Sequence, residues 1–207
     1  MIPARTARTA RLAAEAKATR KRPKRIADRA HTWDPATAGV VLARLGPRPP
    51  LGYFSPTEEA AARPLLAHLL ATWHDEADIP VLSFIDERLA SGEGDGWRHA
   101  GLPEDGPAWR RSLAALDADA SLRHGRTFAE LGHGEQHRLL RHIQDLGSHD
   151  WYGMPAARVW SLWTRYACAA YYSHPHSWDE TGYGGPAYPQ GYLRLGRGTR
   201  EPWEAPR

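Results

Sequence analysis

The chain has 207 residues, 27 Lys+Arg against 24 Asp+Glu, nine Trp, eight Tyr and one cysteine. A lone cysteine excludes an internal disulfide, a haem attached through two thiols, an iron–sulfur cluster and a multi-cysteine zinc site within one chain. Val and Ile together number nine against 33 Ala, which excludes a large β-sandwich or parallel sheet, and no apolar run approaches the length that spans a bilayer.

Leu, Ile, Val and Phe total only 33 residues, a low share for a folded chain, and the Trp and Tyr rings supply the missing apolar area. These totals fit an all-α fold: an irregular helical bundle with a basic disordered N-terminal arm and an extended Gly/Pro/aromatic-rich C-terminal tail. The net charge of +3 is unevenly placed. Residues 1–30 hold ten Lys/Arg against Glu15 and Asp28, a balance of +8, and the rest of the chain carries 17 basic and 22 acidic groups, a balance of −5. Such an arm suits nucleic acid, an anionic membrane or an acidic partner, and a solvated disordered extension is its plainest reading. No apolar segment follows its basic residues, so it does not read as an export signal.

Residues 31–54 read as a Pro-rich extended connector. Its one apolar patch is Val40, Val41, Leu42 and Leu45, and its stacked prolines lie in Gly46-Pro47-Arg48-Pro49-Pro50. The helical domain is expected over 55–173. Ser55-Pro56-Thr57-Glu58 is a helix start with a capping box, and Leu65, Leu66, Leu69, Leu70 and Trp73 recur at helical spacing behind it. Pro64 predicts a kink or two short helices there. Ile79, Leu82, Ile85 and Leu89 mark a second helix over 78–89, closed by the Gly-rich loop 91–96. A third helix runs from about Pro107 to Ala120. A short turn over Thr127–Leu131 precedes a fourth, whose stripe is Leu139, Leu140, Ile143 and Leu146 with Gly147 at its end. The fifth, Pro155 to Tyr172, is apolar nearly all round and predicts the central helix of the bundle, a face pressed on another protein, or both. From residue 174 onward, 11 of 34 residues are Gly or Pro, yet Trp178, Tyr183, Tyr188, Tyr192 and Trp203 are spread along the stretch. Residues 174–207 therefore read as an extended tail lying on a partner.

No constellation for catalysis emerges. The glycines of Thr181-Gly182-Tyr183-Gly184-Gly185-Pro186 follow a helix rather than a strand, and Pro186 removes a phosphate-facing N–H. His133 and His137 share a helix face at i, i+4, but no third ligand stands at a convincing spacing. Cys168 lies between alanines in the most apolar helix and reads as a buried small hydrophobe. Asp179 and Glu180 are adjacent and diverge on any regular element.

The run Tyr171-Tyr172-Ser173-His174-Pro175, then Trp178, then Gly182-Tyr183-Gly184-Gly185-Pro186-Ala187-Tyr188-Pro189-Gln190-Gly191-Tyr192 resembles the C-terminal signature of the gluconate 2-dehydrogenase subunit 3 family. Upstream pieces agree in order: the capped helix at 55, Ile79–Leu89 with Asp86, and Phe128-Ala129-Glu130-Leu131 with Glu135-Gln136. Arg200-Glu201-Pro202-Trp203-Glu204 fits the closing pattern. The resemblance implies a small, non-catalytic subunit of a sugar or sugar-acid dehydrogenase. It holds no cofactor itself, and it assists folding, maturation and stability of a large glucose-methanol-choline-type subunit that carries FAD. A cytochrome c subunit is a further implied partner. No nucleic acid and no direct membrane insertion are expected. With the over-apolar helix and the aromatic tail, this makes Trp160, Trp163, Tyr171, Tyr172, Trp178, Tyr183, Gly184, Gly185, Pro186, Tyr188, Gly191, Tyr192 and Trp203 the expected partner-binding residues. The N-terminus departs from family members that carry an export signal, so the cytoplasm is the expected location, with co-export on a partner's signal as the alternative. A second function class, a nucleic-acid-associated helical module using the basic arm, is set against the acidic charge of the body.

Overall fold

A computed structural model describes residues 26–72, 79–94, 99–189 and 191–201. Most of the basic arm (1–25), Trp73, residues 95–96 of the Gly-rich loop, Gln190 and Trp203 lie outside the described residues. The helices in chain order are a 3-10 helix Ile26–Thr32, α1 Pro35–Ala43, α2 Pro56–Leu70, α3 Val81–Ala90, α4 Asp105–His124, a 3-10 turn Phe128–Glu130, α5 His133–Asp145, α6 Ala156–Tyr172 and α7 Pro175–Thr181. A two-residue-per-strand hairpin, β1 Asp150–Trp151 with β2 Met154–Pro155, is antiparallel with Trp151 opposite Met154. The all-α expectation holds. The chain divides into two compact units, residues 47–174 and a second one made from both ends of the described chain, 26–46 with 175–201.

In the 47–174 unit, α6 packs against α2, α3, α4 and α5, as its composition predicts for a central helix. Its inward face is Val159, Leu162, Trp163, Tyr166 and Ala170. Trp109 on α4 meets Phe54 at 6.0 Å and Tyr166 at 5.9 Å between ring centroids, and Trp151 meets Trp163 at 5.8 Å, all edge-on. Each such ring removes about 150–250 Å² from water, roughly 4–6 kcal/mol gross. The polar tips of three of these rings are answered from α4, whereas the buried Trp109 Nε1 has no hydrogen-bond partner among the described residues. Tyr166 Oη donates to Asp105 Oδ2 (2.7 Å), Trp163 Nε1 to Ser112 Oγ (2.9 Å) and Trp151 Nε1 to Asp119 Oδ2 (3.0 Å). Residues 105, 112 and 119 recur every seven positions, so one face of one helix satisfies three buried donors.

Several local expectations change. The Ser55 cap forms as read: Glu58 N–H donates to Ser55 Oγ and Ser55 N–H to Glu58 Oε2. Pro64, however, does not split the helix. Ala61, Ala62, Leu65 and Leu66 on both sides of it are buried, and their packing keeps α2 continuous across the missing N–H. The hairpin was not anticipated. Its turn, Tyr152-Gly153, has φ of 54° and 74° at both central residues, and Tyr-Gly is a weaker signal for that geometry than Asn-Gly. Cys168 is exposed, not buried. The 3.6-residue period turns Ala157, Cys168, Ala169 and Tyr172 of α6 outward, however apolar the helix is in total.

The span 31–54 is not an extended connector throughout. Asp34 caps α1, its Oδ1 accepting from the N–H groups of Ala36 (3.0 Å) and Thr37 (3.2 Å), with Pro35 at the first helical position. Residues 44–55, which include the Pro-rich stretch, carry no helix or strand. Ile26–Ala30, the end of the basic arm, is 3-10 helical, and the tail opens with α7 before its irregular path begins.

Candidate partner-docking surface

The second compact unit is built around a glycine. Gly185 has a φ of +83°, and a Cβ placed on it would lie 2.8 Å from Trp33 Cζ2 and 3.2 Å from Ile26 Cδ1. Left-handed backbone and close approach coincide here, so glycine is the residue that fits. The N-terminal piece is tied to the same stretch by polar contacts: Ile26 N–H donates to Asp179 Oδ1 (2.7 Å), and Arg29 Nη1 donates to the Gly184 carbonyl. Ile26, Trp33 and Val41 form a small buried cluster on which Trp178 packs. The 26–33 segment thus holds down the Gly-Gly pair of the tail.

The aromatic side chains beyond that clamp point outward. Trp178 meets Tyr183 edge-on at 5.3 Å. The Tyr183 hydroxyl is pushed above the usual phenol range, first by partial burial and then by the Tyr192 hydroxyl. Tyr183, Tyr188 and Tyr192 are nonetheless exposed. The stretch after them is closed by Glu201. Only 5% exposed, its carboxylate accepts from the N–H groups of Leu193 (2.6 Å) and Arg194. Thr199 Oγ1 donates to the Arg194 carbonyl (2.7 Å), and Arg194 Nη1 to the Arg200 carbonyl (3.2 Å). Leu193 and Leu195 stand out from this locked loop, 80% and 85% exposed.

The thirteen residues expected to bind a partner fall into different settings. Tyr172, Tyr183, Tyr188 and Tyr192 are exposed, and Trp160, Tyr171, Trp178, Pro186 and Gly191 are half-buried. Trp163 is fully buried and hydrogen-bonded to Ser112, so its assignment to a docking face is corrected: it is core. Gly184 and Gly185 are buried within the terminal unit, where they serve its own packing. Trp203 lies outside the described residues. Missed from the sequence were Ile26, Arg29, Trp33 and Asp179, which build the clamp. Trp33 next to Asp34-Pro35, an aromatic beside a helix start inside an apparent linker, was the available signal.

The histidines of α5 gain a neighbour. His68 of α2 lies 4.7 Å from His133 and 6.1 Å from His137 between ring centroids. Gln136 Nε2 donates to the Phe128 carbonyl (2.9 Å), which turns its Oε1 to accept from His68 Nε2 (3.1 Å). Burial pushes His68 down to about 4, against the Gln136 hydrogen bond and with help from the two other histidines. Among the described residues no group of three His, Cys, Asp or Glu is placed to hold a metal ion. A cavity beside Arg158 and Arg165, lined also by His99 and Asp105, has a volume of about 10 Å³, room for one water. No described helix is long and apolar enough to cross a membrane.

A protein-family model described as gluconate 2-dehydrogenase subunit 3 matches residues 56–185. No curated protein and no solved structure matches the chain.

Proposed function

The chain belongs to the gluconate 2-dehydrogenase subunit 3 family, and on that premise we propose that it is the accessory, non-catalytic subunit of an FAD-dependent sugar or sugar-acid dehydrogenase. In this reading it assists folding, maturation and stability of a large glucose-methanol-choline-type subunit. FAD and the hydride chemistry reside in that large subunit, and a cytochrome c subunit is a further partner. The family description supports membership of an oxidoreductase complex.

The observation that carries the reading lies at and just beyond the end of the matched residues. Tyr183, Tyr188 and Tyr192 stay exposed on a segment whose first part, Asp179 to Gly185, is held by Ile26, Arg29 and Trp33. Large apolar rings held ready on a fixed backbone bury area at low entropy cost, which is the property of a docking surface.

The test is a tagged pull-down of the full chain from its own host with an absorbance spectrum of the eluate. Co-elution of a larger chain with the absorbance band of an oxidised flavin is the expected result. A colourless monomer overturns the reading.

A further inference from the structure

We propose that the Arg25–Ile26 bond is a processing site, and that Asp179 is the receptor for the α-ammonium group of Ile26 that cleavage there releases. The site stands whether or not the chain has a flavoprotein partner.

Sequence and geometry meet at this bond. Lys-Arg occurs twice in the chain, as Lys21-Arg22 and Lys24-Arg25. Pro23 follows the first pair and lacks the N–H that an endoprotease engages, whereas Ile26 follows the second. Ile26 is 5% exposed and packs with Trp33 and Val41, and its N–H donates to Asp179 Oδ1 at 2.7 Å. Among the described residues no cation pairs with that carboxylate. Asp105 and Asp119, by contrast, each face an arginine. Asp179 therefore meets a neutral donor where a cation on the same nitrogen would bind more tightly.

Cleavage supplies that cation. Water adds across the bond, with a Lys-Arg-specific endoprotease as catalyst. The C–N bond breaks, Arg25 leaves with the new carboxylate, and the Ile26 nitrogen takes up a proton to become an ammonium group. The Ile26 side chain is untouched, so the new terminus stays beside Asp179. Two consequences follow from the chemistry. The ion pair strengthens the hold of 26–33 on Gly184 and Gly185. The charge also reverses: nine Lys/Arg and one acidic residue leave with residues 1–25, and a net charge of +3 becomes −5.

The test starts from the full chain. It is purified from its own host for N-terminal sequencing, and it is cut in vitro with a Lys-Arg-specific endoprotease. Ile26 is the expected first residue in both. A host chain that keeps residues 1–25 overturns the processing site. Lys17, Lys21 and Lys24 are all the lysines of the chain, so the cleaved product has one primary amine, that of Ile26. Its acetylation rate across pH reports the proton affinity of that amine. In the wild type this should exceed the value in Asp179→Asn, which keeps an acceptor oxygen, by about tenfold or more. Equal affinities overturn the receptor. Pairing raises the amine above its ordinary range of about 7.7–8.0, so its stabilisation is complete below that range and lost as pH rises through the raised value. The cleaved chain should therefore melt at a higher temperature at pH 7 than its acetylated form, which keeps the N–H without the charge. Equal melting of the two forms at pH 7 overturns the ion pair.

Discussion

Asp86 joins pieces of chain more than thirty residues apart. It is 2% exposed on α3, and its two oxygens accept from the N–H groups of Gly52 (2.7 Å), Tyr53 (3.0 Å) and Phe54 (2.8 Å). These N–H groups precede α2, so the carboxylate fixes how the chain enters that helix and where Phe54 meets Trp109. Removing the acceptor strands buried donors, each at a cost of about 1–3 kcal/mol. Asp86→Ala should lower unfolding free energy by about 3 kcal/mol in urea titrations. Asp86→Asn, which keeps one acceptor oxygen, should lose about half of that. The sequence placed Asp86 beside the Ile79–Leu89 stripe; which backbone groups it answers depends on chain 32 to 34 residues away. Asp105, Ser112 and Asp119 are similar. Their seven-residue spacing is legible in the sequence, but its meaning appears only when Tyr166, Trp163 and Trp151 arrive against α4.

At the level of elements, the 3-10 helix and α1 act on α7 and the glycines after it. Gly185→Ala adds a Cβ at φ +83° against Trp33 and Ile26. Its strain is on the order of 1–3 kcal/mol, and Trp33 must also shift. Trp33→Ala removes the ring from the other side. Both variants should expose the 175–195 segment, read as faster tryptic cleavage at Arg194 and lost amide protection at residues 183–185. The helical signal of the 47–174 unit should be retained. Unchanged cleavage in both would show that the N-terminal segment is not what holds the tail. Gly185→Val and Trp178→Ala act on the same intrachain cluster, so an assembly defect in either must be read beside its cleavage rate. The α2 helix teaches the complementary point. Propensity predicts a break at Pro64, and burial of the residues flanking it prevails.

For the molecule as a whole, the His68 group makes stability depend on pH. Folded His68 lies near 4, below the ordinary 6.5, so above about pH 6.5 neither state holds the proton and the full stability is present. As pH falls from 6.5 toward 4, the unfolded chain takes up a proton that the folded chain refuses, and stability declines. His68 is partly solvated, so the effect after screening is on the order of 1 kcal/mol. Wild type should lose more melting temperature between pH 7.5 and pH 5 than His68→Gln does; equal losses would remove His68 as the cause.

The amino-acid sequence by itself determined the all-α class, the order and approximate limits of the main helices, the Ser55 cap and the central place of α6. These depend on periodicity and on cap residues within a few positions of each other, which are local properties. It also carried the family resemblance, through the spacing of Tyr171–Tyr192. Tertiary structure alone decided that Trp163 is core and Cys168 is not, that a third histidine joins two on α5, and that 26–46 folds with 175–201 instead of acting as arm and connector. Each of these turns on which distant residue fills the space beside a side chain. Composition counts apolar residues without assigning them a side, and only packing gives them one.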